Sequence, residues 1–120
     1  MESVDLDALL AKWRWLVPSD VDVRIRWADC DGDYAESHSI MESGKMFITI
    51  AHHDFNPPLF HAMGVTRDVE ADVIHELLHW RAEGYKPKKT GSTEHRLWEW
   101  SVERTAQDFL RLDRGNNALS

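Results

Sequence analysis

Two histidines four positions apart, with a glutamate directly after the first, give this sequence its clearest chemical signal. The segment reads His75-Glu76-Leu77-Leu78-His79, an HExxH motif. Residues four apart on a helix leave the same face one turn apart, so both imidazoles can point at one tetrahedral Zn²⁺. The Glu76 carboxylate can reach a water at the metal without binding the metal itself. The motif therefore predicts two zinc ligands, His75 and His79, and a general base, Glu76.

The residues around the motif favour the helix that this geometry needs. Neither proline nor glycine interrupts residues 69–80, and Ile74, Leu77 and Leu78 form an apolar stripe that can pack the helix. The two histidines then point to another side. We therefore expect a helix over residues 67–81 with a separate metal-binding face.

A catalytic zinc ion needs a third protein ligand, because two histidines rarely hold the ion alone and the fourth position is left for water. Downstream of the motif, Glu94, His95, Glu99 and Glu103 carry suitable atoms. Glu99 and Glu103 lie one turn apart on one face of the last predicted helix. Ala106 follows on that face, and its small side chain allows the close approach of two helices that a shared metal requires. The residues alone leave Glu99 and Glu103 as alternatives, with His95 as a further candidate.

Length and composition limit the classes of protein to consider. A chain of 120 residues with 42% hydrophobic residues is expected to form one domain, residues 1–120, around one core. The net charge of −7 argues against a partner of nucleic acid. Cys30 is the only cysteine, so no disulfide forms within the chain. With no signal peptide and no segment long enough to cross a membrane, we expect a cytoplasmic protein without a membrane partner.

The hydrophobic pattern predicts helices and strands in separate parts of the chain. Three strands are expected between an N-terminal helix and two later helices; the ranges are 5–16 for the first helix, 21–27, 34–41 and 46–51 for the strands, and 67–81 and 93–112 for the later helices. Residues from about 114 to 120 are predicted to be a polar tail. This order predicts an α+β fold: an antiparallel or mixed three-stranded sheet packed on the HExxH helix, with an N-terminal helix and a C-terminal glutamate-bearing helix.

An HExxH motif followed by a glutamate on a second helix resembles the pattern of the gluzincins. Residues 103–109 (ERTAQDF) are similar to the E-x-x-A-[DN]-x-F signature of compact gluzincin families, including minigluzincins and ImmA/IrrE-type peptidases. The resemblance implies that Glu103 is the third ligand and that Gln107 supports a metal-binding histidine from behind. Glu99 follows His79 by 20 positions, a thermolysin-like spacing with Glu103 as a possible supporting acid one turn later, so Glu99 stays the alternative third ligand.

The order of elements also resembles small metallopeptidase-like proteins encoded in phage genomes. The resemblance implies a minimal zincin-like domain, Zn²⁺ as the cofactor and a peptide or protein substrate, in a bacterial or phage-infected cell. In the wider gluzincins, the strand before the metal helix pairs with an extended peptide. The implied edge strand here is Phe47, Ile48, Thr49, Ile50 and Ala51.

Together these patterns predict a zinc-dependent peptidase that uses a metal-activated water and Glu76 as the general base. The alternative is a non-catalytic, zinc-stabilised binding domain, or a regulatory protein of a phage or mobile element that acts through a protein partner. The retained Glu76 favours the enzyme, because a structural zinc site is closed by four protein ligands and needs no base. Tyr85, His95 and Arg96 are candidates for a second donor to the oxyanion.

Overall fold

Three helices and three strands make up the part of the chain that the computed structural model describes, which covers residues 4–52, 55 and 67–119, with side chains as far as Gly115. In chain order these are α1 (Leu6–Trp13), β1 (Asp22–Trp27), β2 (Ala35–Ile40), β3 (Lys45–Ile50), α2 (Val69–Ala82) and α3 (Thr93–Leu119). Short 3-10 turns follow α1, β2 and α2. This arrangement confirms the predicted α+β domain with a mixed three-stranded sheet.

The sheet has the order β1-β3-β2, with β3 in the centre. β1 runs parallel to β3, while β2 runs antiparallel to it. The short connection between β2 and β3 reverses the chain at Gly44, whose φ of 64° lies in the left-handed region that glycine enters without steric cost. β2 is an edge strand, because no other strand among the described residues pairs with its outer side.

The prediction that residues 47–51 form an edge strand is wrong. Phe47, Ile48, Thr49 and Ile50 belong to β3, which is hydrogen-bonded to a neighbour on each side. Ala51 comes directly after β3, and its N–H donates to the carbonyl of Tyr34. An extended ligand has no backbone edge to pair with at these residues, because both sides are taken.

One face of the sheet packs against α2 and forms the core. Met46, Ile48 and Ile50 alternate along β3 and are at most 1% exposed, because every second side chain of a strand points to the same face. Ile74 and Leu77 of α2 are fully buried on the same core. Each such side chain stabilises the fold by about 1.5–3 kcal/mol. This packing fixes the rotation of α2 and so determines where its histidines point.

Helix α3 packs along α2. Three residues of α3 are buried: Val102, Ala106 and Leu110. Ala106 is fully buried, and its small side chain allows the two helices to approach closely. The backbone of α3 stays helical to Leu119, so the predicted helix end near residue 112 is wrong, and the polar residues from 114 to 119 continue the helix. None of the helices in the described ranges combines the length and the apolar character that a membrane span requires.

Candidate metal centre

Three potential ligand atoms, from His75, His79 and Glu99, lie within 4.8 Å of one another. The Nε2 atoms of the two histidines are 3.1 Å apart. The Glu99 carboxylate lies 3.4 Å from Nε2 of His75 and 3.3 Å from Nε2 of His79. Two imidazoles and one carboxylate are the donor set of an open catalytic zinc site. The residues present therefore fit a zinc ion.

Glu103 contacts the other side of the His75 ring. Its Oε2 lies 2.6 Å from Nδ1 of His75, and Gln107 Nε2 donates to its Oε1 at 2.9 Å. A carboxylate on Nδ1 orients the imidazole and does not share a metal on Nε2. The group of described residues that could hold a metal therefore contains Glu99, the alternative third ligand, and does not contain Glu103. Gln107 was expected to support a metal-binding histidine. Its Nε2 instead donates to Glu103, which in turn contacts His75.

The helices explain why each glutamate meets its partner. His75 and His79 leave α2 one turn apart, and Glu99 and Glu103 leave α3 one turn apart. The later glutamate contacts the earlier histidine, so the two helices run in opposite directions along the site. The choice between the glutamates is therefore set by how far α3 is shifted along α2.

The charges at the site couple the two helices. Burial on its own disfavours a charged His75, but hydrogen bonds to Glu103 and Glu99 outweigh it and raise the pKa of His75 to about 10. Hydrogen bonds to His75 and His79 hold the pKa of Glu99 far below its usual range. The pKa of Glu103 is also lowered, mainly by its hydrogen bond to His75. These contacts favour the protonated form of His75 in the metal-free protein, so a metal on Nε2 would have to displace a proton.

Glu76 is buried between α2 and the edge strand β2. Only 6% of the residue is exposed, and this burial raises the pKa of its carboxyl. The charges of the neighbouring histidines and a hydrogen bond with Ser37 oppose the rise. A glutamate whose pKa is raised above its ordinary value holds a proton more readily than an exposed one, which suits a group that accepts and returns a proton. Its position next to the ligand group agrees with the role that the motif predicts.

These groups line one cleft of about 540 Å³ between β2, α2 and α3. Ser37 and Trp98 are among the lining residues to which sequence reasoning gave no role. Alternate residues of the polar strand β2 share one face, and this alternation could have indicated Ser37. No local sequence pattern indicates Trp98. Of the three candidate oxyanion donors, only His95 lines the cleft, whereas Tyr85 is 83% exposed and belongs to a separate groove.

Comparison of the chain with known protein families, curated proteins and solved structures finds no match. The functional argument therefore starts from the chemistry of the site and not from the fold, because one fold can carry many activities.

Proposed function

We propose that this protein is a zinc-dependent peptidase in which His75, His79 and Glu99 hold the metal and Glu76 is the general base. The observation that carries the proposal is the position of Glu99. Its carboxylate comes from a different helix and meets both Nε2 atoms of the motif at 3.3–3.4 Å. The thermolysin-like spacing of 20 positions between His79 and Glu99 supports the same assignment, whereas the resemblance of residues 103–109 to the compact gluzincin signature favoured Glu103.

The residues of the chain divide the proton and binding steps between them. A zinc ion held by His75, His79 and Glu99 would supply Lewis-acid chemistry for a peptide carbonyl and for an attacking water. Glu76 accepts the proton of that water on its carboxylate and then delivers a proton to the leaving amine. Glu103 holds the His75 ring by its Nδ1 atom, and Ser37 holds Glu76 by a hydrogen bond.

The outer edge of β2 is the place for the substrate backbone. β2 borders the cleft, and its residues Ala35, Glu36 and Ser37 line it beside Glu76. An extended peptide that adds to this edge forms main-chain hydrogen bonds and passes the metal site. This replaces the strand of residues 47–51 as the proposed backbone contact.

Glu76→Gln tests the activity separately from the metal site. Zinc-loaded wild-type protein is incubated with a mixture of unstructured peptides, and new termini are identified by mass spectrometry. We expect cleavage by the wild type that a chelator stops. In Glu76→Gln, zinc stays bound at one equivalent while cleavage falls by about 10²–10⁴-fold, because the base is lost and the ligands are retained.

Glu42→Gln is the matched control. The substitution makes the same change of charge, and Glu42 is exposed in the turn between β2 and β3. It is expected to cleave like the wild type. Undiminished cleavage by Glu76→Gln would refute the role of the base. A zinc-loaded wild type that cleaves none of the peptides would favour a zinc-stabilised binding domain.

A further inference from the structure

The two metal-binding histidines are held in different ways. His75 has a carboxylate on its Nδ1, the usual means by which proteins orient a metal-binding imidazole. His79 has no hydrogen-bond partner for its Nδ1 among the described residues. Its ring instead meets the indole of Trp98 edge to face, with 4.8 Å between ring centroids and 63° between planes.

Trp98 is itself fixed from several sides. Its Nε1 donates to the carbonyl of Ala82 in the last residue of α2, at 3.0 Å. The ring of His95 lies on it with 5.6 Å between centroids, and the Lys86 ammonium lies 5.9 Å from its centroid. The indole is therefore tied to both helices and cannot rotate without breaking these contacts.

The indole also separates two cavities. It lines the metal cleft and a more apolar groove of about 350 Å³ behind it, whose walls include Leu78 and Val102. Trp98 thus closes one side of the His79 ring to solvent. The torsion that rotates an imidazole about its Cβ–Cγ bond has broad, two-fold preferences, so an unsupported ring samples orientations that turn Nε2 away.

We propose that Trp98 is a positioning residue for His79. By ring packing it fixes the orientation that directs Nε2 toward His75 and Glu99, the task that Glu103 performs for His75 through a hydrogen bond. The inference rests on the proposed metal site, but it concerns only how one of its ligands is held.

Two substitutions separate the ring contact from the hydrogen bond to Ala82. Trp98→Leu removes the aromatic edge, and Trp98→Phe keeps an aromatic ring but lacks the N–H. Zinc affinity is measured by competition with a chromogenic chelator, and the coordination geometry by the visible absorption spectrum of the Co²⁺-loaded protein. Folding of each metal-free variant is checked by circular dichroism and thermal melting.

We expect Trp98→Leu to bind zinc about 10-fold or more weakly and to alter the Co²⁺ spectrum. Trp98→Phe is expected to melt at a lower temperature than the wild type but to bind zinc within about 3-fold of it, because the ring contact remains. Trp100→Leu is the control: Trp100 lies two positions later on α3, is 62% exposed and is outside the cleft.

The outcomes separate this inference from the proposed function. If the wild type binds zinc and Trp98→Leu binds it equally with an unchanged spectrum, the role of Trp98 is refuted and the metal site stands. If the Leu variant does not fold, the Phe variant decides, since a loss of more than about 10-fold there would mean that the tie to Ala82, and not the ring, matters. A wild type that binds neither Zn²⁺ nor Co²⁺ would overturn both.

Discussion

Oε2 of Glu103 lies 2.6 Å from Nδ1 of His75, at the opposite end of the imidazole from the atom that faces Glu99. With a carboxylate on Nδ1, the proton of a neutral imidazole stays there, and the lone pair of Nε2 is left for a metal. Gln107 donates to the second oxygen of Glu103 and so orients that carboxylate in turn. The two glutamates, one turn apart on α3, thus contact different atoms of the His75 ring, Glu99 at Nε2 and Glu103 at Nδ1.

The first prediction compares these two glutamates. Glu99→Ala is expected to weaken zinc binding far more than Glu103→Ala, because the first removes a ligand and the second removes only the support of a ligand. For Glu103→Ala a loss of about 10–100-fold is expected. Isothermal titration against a chelator of known affinity measures both constants.

Glu94→Ala provides a control on the same helix, since Glu94 is exposed in the first turn of α3 and is outside the ligand group. It is expected to bind zinc like the wild type. A larger loss for Glu103→Ala than for Glu99→Ala would restore Glu103 as the third ligand.

The second prediction concerns pH. The pKa of His75 is raised from 6.5 to about 10 in the metal-free protein, so the stability that this histidine contributes is complete below 6.5 and is lost as the pH rises toward 10. The pKa values of Glu99 and Glu103 are lowered from 4.5, so their contribution is present above 4.5 and is lost as the pH falls. In the metal-free protein, this cluster should therefore contribute most to the free energy of unfolding between pH 4.5 and pH 6.5.

Zinc competes with the proton on His75, so its affinity should rise by up to about tenfold per pH unit below the pKa of that group. Thermal melts with zinc and with a chelator, at about pH 6 and about pH 8.5, should give a larger zinc-induced rise in Tm at the higher pH. The same rise at both values would mean that no proton is displaced.

The motif could be predicted from the sequence because its geometry is local. His75, Glu76 and His79 need only a helix, and Ile74 and Leu77 determine which way it faces. The choice between Glu99 and Glu103 is different, since both point to the same side of α3. It depends on the shift of one helix along the other, which is set by packing between residues distant in the chain.

The strand order was missed for a similar reason. The pairing of β1 with β3 is not between neighbours in the sequence, so a run of apolar residues indicates a strand but not its place in the sheet. The polarity of the strands carried a usable signal. β3 reads KMFITI and is mostly apolar, whereas β2 reads AESHSI, as is typical of an exposed edge strand.

The third prediction concerns Arg67, whose side chain is 6% exposed. It donates to the carbonyls of Tyr34, Ala51 and His52 and pairs with Asp72 at 3.2 Å. It thus connects the start of β2 and the end of β3 to the first turn of α2. Arg67→Met should lower the free energy of unfolding by about 3–5 kcal/mol, because a largely buried carboxylate loses its partner. Urea unfolding followed by circular dichroism measures the loss.

The pH dependence of that loss is a further check. Burial raises the pKa of Asp72 to about 6, and Arg67 opposes the rise. Without the arginine the ionised carboxylate is costlier, so the destabilisation should be greater at about pH 8 than at about pH 5. Arg24→Met is the control, since the ion pair of Arg24 with Asp22 is exposed, and it should change stability by less than about 1 kcal/mol. Equal losses for both variants would contradict a role for burial.

The fourth prediction concerns Cys30, which is 2% exposed and directs its Sγ toward the carbonyls of Ala28 and Thr49. Burial and the neighbouring carboxylates raise the pKa of the thiol to about 11. The thiol should therefore not react with an aromatic disulfide reagent at about pH 7.5 until the protein is unfolded, and Cys30→Ala should bind one equivalent of zinc. Rapid reaction of the folded protein would show that the thiol is accessible.

A crystal structure with anomalous data on both sides of the zinc absorption edge tests the central claim most directly. The account predicts one peak at about 2 Å from Nε2 of His75, Nε2 of His79 and a carboxylate oxygen of Glu99, with one position left open. Glu103 should remain on Nδ1 of His75. A peak bound by Glu103 instead, a site closed by a fourth side chain, or no peak in protein purified without chelators would contradict it.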